Sequence, residues 1–370
     1  MKAKQTITGR IKRSVTLRDI ARQVGVSPTT VSNVLNGRGR VSEQTARRVH
    51  QAVVENRFII NATARTLRQK QSKIVGVIIP IMEHLISFHD NPFYWAFVSG
   101  LQQTIASAGF HVMLDAVEYS SESVEIIRSR NLDGVVVVGS HESFPLTQQL
   151  AQIDTLPIIF VDSYLPTMNV NTVTTDDRFG SYLATRYLLG LGHRKIVFLS
   201  GPLYEHGVDH ERWLGYVRAL SEQDTACRPI AVETQMSLES GRLAAHRLIY
   251  EHPDVTAVVA TGDVLAIGVL RGFFESGVRV PHQCSIIGFD DVSIASHTVP
   301  SLTTIHQDIK GKGEAVGRML LRLIAGQGPP QSEHISLNPH LVVRESTAPP
   351  PTVLNRLPLK GGDGLQSKRQ

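Results

Sequence analysis

Residues 15–37 read VTLRDIARQVGVSPTTVSNVLNG, and the punctuation of this stretch sets the architecture of the amino-terminal part of the chain. Leu17, Ile20, Ala21 and Val24 recur at the spacing of one helical face. Thr16 and Asp19 have the spacing of a capping box, and Gly25 stands where a left-handed carboxyl cap is expected. Ser27 can then cap a second helix that carries Pro28 at its first position, where a missing N–H costs nothing. Val31, Val34 and Leu35 share one side of that helix, and Asn36-Gly37 ends it. A third helix is expected from Ser42, with Ala46, Val49 and Val53 inward, fraying near Asn56. Two short helices joined through Gly25-Val26-Ser27 make a helix-turn-helix.

Charge follows the same division. Residues 1–73 hold 16 Lys+Arg against 3 Asp+Glu, a balance of +13, while the remaining 297 residues hold 22 against 30 and come to −8, leaving +5 for the 370-residue chain. So basic a module on a mildly acidic body points to a polyanion partner for the first part alone.

Residues 61–72, NATARTLRQKQS, are short, polar and basic and read as a linker. Beyond Lys73 the texture changes. Apolar runs at 74–79, 111–116, 134–138, 157–161, 195–200, 256–260 and 284–289 alternate with amphipathic stretches, the pattern of parallel strands with crossover helices. Seven strands over some 270 residues imply two doubly wound lobes. The expected domains are 14–60 for the helix-turn-helix, 61–72 for the linker and 73–345 for the two-lobed body, with a disordered tail over 346–370 that is rich in proline, then glycine and charge.

Composition narrows the function. Hydrophobic residues make up 42% and charged residues 19%, enough apolar content for folded cores. Two cysteines, Cys227 and Cys284, exclude a disulfide framework and fit a reducing compartment. The first residues lack the apolar region of a secretory signal, and Ile74–Met82 is too short to span a bilayer, so a cytoplasmic protein is expected. Enzyme motifs are missing. Gly311, Gly313 and Gly317 have the wrong spacing for a dinucleotide fingerprint, and neither a phosphate-binding loop nor a nucleophile elbow occurs. His206, His210 and Glu211 could ligate a metal, but Gly207 argues for a loop there, and neither metal nor cofactor is expected.

Taken in order, the helix-turn-helix, ATARTL at 62, NPFY at 91, LDG at 132, LGHRKI at 191, GFDD at 288 and LTTIHQD at 302 resemble the lactose/galactose repressor (LacI-type) family of bacterial transcription regulators. The match runs from Val15 to Arg344. It implies a two-lobed body like the periplasmic sugar-binding proteins, carrying an effector in the cleft, and a partner in double-stranded operator DNA.

In such a motif the second helix enters the major groove. Here it would present Pro28, Thr29 and Asn33 to base edges, with Ser27, Thr30 and Asn36 near phosphates or packing, and Arg38 and Arg40 on the backbone. An amide such as that of Asn33 can pair with adenine through two hydrogen bonds. Asn61 can cap a linker helix of some eight residues, too short to stand alone in water. The resemblance makes Leu67 the wedge in the minor groove, lets Ala64 bring two such helices together, and puts Arg68 beside the groove; Ile60 stands where the family usually has proline. Wedge pairing implies a homodimer on a pseudo-palindromic operator. The tail carries no leucine heptad of the kind that makes some relatives tetramers, so a dimer is expected.

For the effector, the resemblance designates Phe93, Tyr94, Ser140, Asp176, Arg212, Asp263 and Asp290. A guanidinium among carboxylates suits the donor and acceptor character of hydroxyls, and aromatic faces supply apolar walls. Asp176 and Asp263 are also natural helix N-caps, the reading preferred for Asp263, and Phe93 could be core. Together these readings give a repressor controlled by a small, carbohydrate-like metabolite. The alternatives are a purine or other non-sugar effector, or action as a corepressor-dependent regulator.

Overall fold

The computed structural model describes residues 15–35, 41–56, 71–81, 91–118, 120, 122–223 and 227–352, and the chain divides into two compact units at Ser72/Lys73. Among the described residues the first unit holds three helices, α1 (Leu17–Val24), α2 (Pro28–Leu35) and α3 (Glu43–Glu55). Thr16 and Asp19 form the capping box, and Gly25 takes the left-handed conformation at φ 72°. Ser27 Oγ accepts the Thr30 N–H at 3.0 Å and so caps α2, while Ser42 caps α3 through Thr45 N. Ile20, Ala21, Val24, Val31, Val49 and Ala52 are buried together. Such a core is small, and polar ties add to it: Arg48 Nη2 donates to the Val24 carbonyl at 2.5 Å, fastening α3 to the end of α1.

The second unit contains two six-stranded sheets. Lobe 1 is built on β1 (Ile74–Ile81), β2 (His111–Glu118), β3 (Gly134–Val138), β4 (Ile158–Val161), β5 (Asn171–Thr175) and β11 (His334–Leu337), ordered β11-β5-β4-β3-β1-β2 and parallel throughout. One face is covered by α4 (Pro92–Ala106) and α11 (Ile309–Ile324), the other by α5 (Glu122–Ser129) and α6 (Pro145–Leu150). Lobe 2 has β6 (Ile196–Ser200), β7 (Ala231–Glu233), β8 (Ala257–Ala260), β9 (Ser285–Asp290), β10 (Thr303–His306) and β12 (His340–Val342), ordered β12-β10-β9-β8-β6-β7, with only β12 antiparallel. Its sheet lies between α7 (Asp177–Gly190) with α8 (Val208–Ser221) and α9 (Leu238–Glu251) with α10 (Asp263–Glu275).

Strands covered on both faces must be apolar on both, which is why GVVVV, IIFV and IVFLS are buried along their whole length. The chain passes between lobes three times, from β5 to α7, from β10 to α11 and from β11 to β12, each time within one or two residues. Helix α11 follows a lobe 2 strand yet packs in lobe 1. Its crossing with α4 is so close that a Cβ on Gly313 would meet the Phe97 carbonyl at 2.2 Å, and one on Gly100 the Lys310 carbonyl at 2.1 Å. That close approach is what Gly100 and Gly313 permit.

Order continues past the expected body boundary at 345. Ser346 Oγ donates to the Ile286 carbonyl at 2.6 Å and accepts Thr303 N–H at 2.8 Å, and Ala348 N donates to Ser285 Oγ at 3.0 Å. The start of the presumed tail therefore belongs to lobe 2, because small hydroxyl residues there complete the hydrogen bonding beside β9. Residues 353–370 lie outside the described ones.

Candidate functional site

In the amino-terminal unit, α2 buries only Val31 and leaves Pro28 and Thr29 exposed at its start. Thr30 is half-buried and its hydroxyl lies 2.9 Å from that of Ser27, so this pair stiffens the helix entrance. Asn33, expected to meet a base edge, is half-buried one turn further on. Asn36, Arg38, Arg40, Asn61, Ala64, Leu67 and Arg68 lie outside the described residues.

In the two-lobed unit, polar residues collect where carboxyl ends of strands from both sheets face one another. Arg212, in the second turn of α8, is buried in a frame of acceptors. Its Nε lies 2.8 Å and its Nη2 2.7 Å from Asp177 Oδ1, its Nη1 donates to the Thr261 carbonyl, and its guanidinium stacks 3.6 Å above the Phe289 ring. Burial opposes the charge, but the carboxylates of Asp177, Asp290 and Asp209 outweigh it and raise the guanidinium pKa above its ordinary range. The Tyr164 hydroxyl, from lobe 1, donates to Asp177 Oδ2 at 2.7 Å. Burial and this carboxylate push the tyrosine pKa upward.

A second chain of contacts runs through the β10–α11 crossing. Lys312, fully buried, donates to Asp162 Oδ1 at 2.5 Å and to Gln307 Oε1 at 2.7 Å. That Gln307 oxygen also accepts the Thr175 hydroxyl at 2.9 Å, and its amide nitrogen donates to Asp290 Oδ1 at 2.6 Å. One amide thus joins lobe 1 to lobe 2. Desolvation raises the Asp290 carboxyl to about 6 against the pull of Arg212. Asp162 and Asp290 hold left-handed backbone angles, φ 47° and 115°, uncommon for residues with a side chain and characteristic of functional sites.

The expected effector residues sort as follows. Arg212 and Asp290 come together at the centre. Tyr94 is half-buried, and burial with the nearby carboxylates of Asp162 and Asp290 pushes its hydroxyl up to about 12. Phe93 is core, its ring parallel to Phe97 at 6.4 Å. Ser140 is buried against Thr147 and takes Ser163 Oγ on its N–H at 2.9 Å, so it stands behind the cleft wall.

Two aspartates need correction. Asp176 is exposed and caps α7 by accepting Phe179 N–H at 2.9 Å; its neighbour Asp177 is the carboxylate on Arg212. Asp263, by contrast, caps nothing. Helix α10 starts after Gly262 without a side-chain cap, and the buried Asp263 carboxylate accepts Thr304 Oγ1 at 2.5 Å and Val292 N–H at 2.8 Å. Its carboxyl pKa is well above ordinary because burial and Asp290 disfavour the charge. Glu211, one of three residues considered as metal ligands, is paired with Arg178 at 2.8 Å.

Sequence reading passed over Asp162, Tyr164, Asp177, Gln307 and Lys312. Asp162 could have been found, since it stands at the carboxyl end of a buried strand just as Ser140 and Asp290 do. Gln307 lies within LTTIHQD. Lys312 gave no signal, because a lysine in an amphipathic helix ordinarily faces water.

Comparison with known proteins bears directly on this architecture. The family described as bacterial regulatory proteins, lacI family, matches residues 16–61, and the periplasmic binding protein-like domain matches 185–347. The HTH-type transcriptional regulator DegA of Bacillus subtilis is 30% identical over 342 residues, covering 90% of this chain and 98% of that protein. This chain belongs to the lacI family. As a lacI-family member it is a DNA-binding transcriptional regulator with an effector-binding body. The ribose operon repressor of Haemophilus influenzae is 29% identical over 337 residues, covering 90% of this chain and 98% of that one. A lac repressor dimer bound to operator and the anti-inducer ONPF superposes with a TM-score of 0.78 at 27% identity, covering 91% and 100% of the two chains. Among the described residues no helix is long and apolar enough to cross a membrane.

Proposed function

We propose that the protein is a homodimeric repressor that binds a pseudo-palindromic operator through α2 and releases or engages it when a sugar or sugar derivative occupies the cleft. Buried Arg212 carries this reading. Three of its N–H groups are engaged by Asp177 and the Thr261 carbonyl, which leaves two of a guanidinium's five without a partner among the described residues. Asp290 offers an acceptor beside it and Phe289 an apolar floor, the mixture a polyol needs. Ring hydroxyls that bridge Arg212 in lobe 2 to Asp162 in lobe 1 would favour one angle between the lobes and shift the population of the DNA-competent form. The lac repressor dimer on its operator and the ribose operon repressor support the dimeric and sugar parts of the proposal.

Thermal unfolding of the full chain with a panel of pentoses, hexoses, sugar acids and purine bases tests it. A sugar should raise Tm in the wild type and not in Arg212→Ala, which should still retard an operator fragment. A shift by a purine base alone, or a sugar response intact in Arg212→Ala, would overturn the assignment.

A further inference from the structure

Cleft-rim loops of the two lobes touch through three aromatic rings. In lobe 2 the segment after β6 makes a tight turn: Tyr204 N donates to the Pro202 carbonyl at 3.0 Å, Gly207 N to the Tyr204 carbonyl at 2.8 Å, and His206 sits at φ 62°. This turn holds the Tyr204 ring 5.8 Å from His141 and 5.9 Å, edge-on, from Phe144. Both partners belong to lobe 1, following β3 and preceding α6, and lie 5.3 Å apart. A hydrogen bond reinforces the contact. Ser143 N donates to His141 Nδ1 at 3.2 Å, so the imidazole proton resides on Nε2 and is donated to the Glu205 carbonyl of lobe 2.

We infer that Tyr204 and its turn form a gate that closes the cleft against His141 and Phe144. Strand carboxyl ends line the cleft in this architecture, so the two loops span its rim. The contact is made between protein groups of the two lobes. An effector entering or leaving on this side must part the three rings, and Tyr204 is therefore a positioning residue for lobe closure. The gating role rests on the cleft being the effector site, whereas the contact itself can be tested without an effector.

Hydrogen–deuterium exchange of the full-length protein provides that test. Tyr204→Ala should speed exchange in the other lobe, at the Phe144 and Gln148 amides that donate to the His141 and Phe144 carbonyls, by on the order of tenfold. Phe144→Leu should reciprocally speed the Gly207 amide, while Tyr204→Phe, which keeps the ring, should match the wild type. Exchange in α9 and α10 reports whether each variant is folded. If each substitution quickens only its own loop, or Tyr204→Phe behaves like Tyr204→Ala, the gate is refuted. Loss of effector response in Arg212→Ala reads the site separately, so the two ideas can fail independently.

Discussion

Lys312 Nζ lies 2.5 Å from Asp162 Oδ1, and the lysine side chain is wholly removed from solvent. The pair spans from the turn after β4 to the first turns of α11, fixing lobe 1 just where the chain has returned from lobe 2. A buried ion pair adds little over a well-packed apolar one, but removing a single partner strands a charge. Lys312→Met should therefore cost about 3–5 kcal/mol of stability, measured by denaturant unfolding. Adding Asp162→Asn should recover much of it. A double variant as unstable as the single one would show that the stranded carboxylate is not the cause.

Asp290 gives a pH signature. Its carboxyl is raised from 3.8 to about 6 in the folded protein, so it binds its proton more tightly there than in the unfolded chain. The resulting stabilisation is complete below the unfolded value and is lost as pH rises through about 6. Asp290→Asn should remove that dependence: relative to wild type, the variant should gain stability between pH 4 and pH 7. An unchanged difference across this window would contradict the shifted carboxyl.

The α4–α11 crossing predicts intolerance of a single methyl group. Gly313→Ala places a Cβ against the Phe97 carbonyl, a backbone atom that cannot turn aside. Overpacking of this kind costs about 1–3 kcal/mol, visible as a lowered Tm. Gly326→Ala is the contrast. That glycine has φ 70° with nothing within 4 Å of a Cβ, so its cost comes from backbone strain alone and should spare the packing of α11.

For DNA, Asn33→Ala should lose about 1–3 kcal/mol of discrimination at one base pair while leaving the salt dependence of binding unchanged. The log–log slope itself should be about −0.9 per neutralised phosphate. Equal loss on specific and random duplexes would remove Asn33 from base reading.

Much of the fold was legible because covered parallel strands cannot hide: the seven apolar runs are β1, β2, β3, β4, β6, β8 and β9. The five others escaped for physical reasons. β5, NTVTT, alternates polar and apolar residues, β7 has three residues, and β10, β11 and β12 draw on threonine and histidine near sheet edges. Helix caps were readable at Thr16, Ser27 and Ser42, where local chemistry decides. The cleft was harder. Which of Asp176 and Asp177 meets Arg212 depends on the rotation of α7 about its axis, and the burial of Lys312 depends on Asp162, 150 residues away. Neither leaves a trace in local spacing.

The triple passage between lobes has an evolutionary and practical corollary. Each half is woven from separate stretches, and ending translation after Gln307 would strip α11 and β11 from the half that precedes them. No contiguous fragment supplies either half without part of the other, so duplication, domain shuffling or recombinant expression must handle the sensor as one piece.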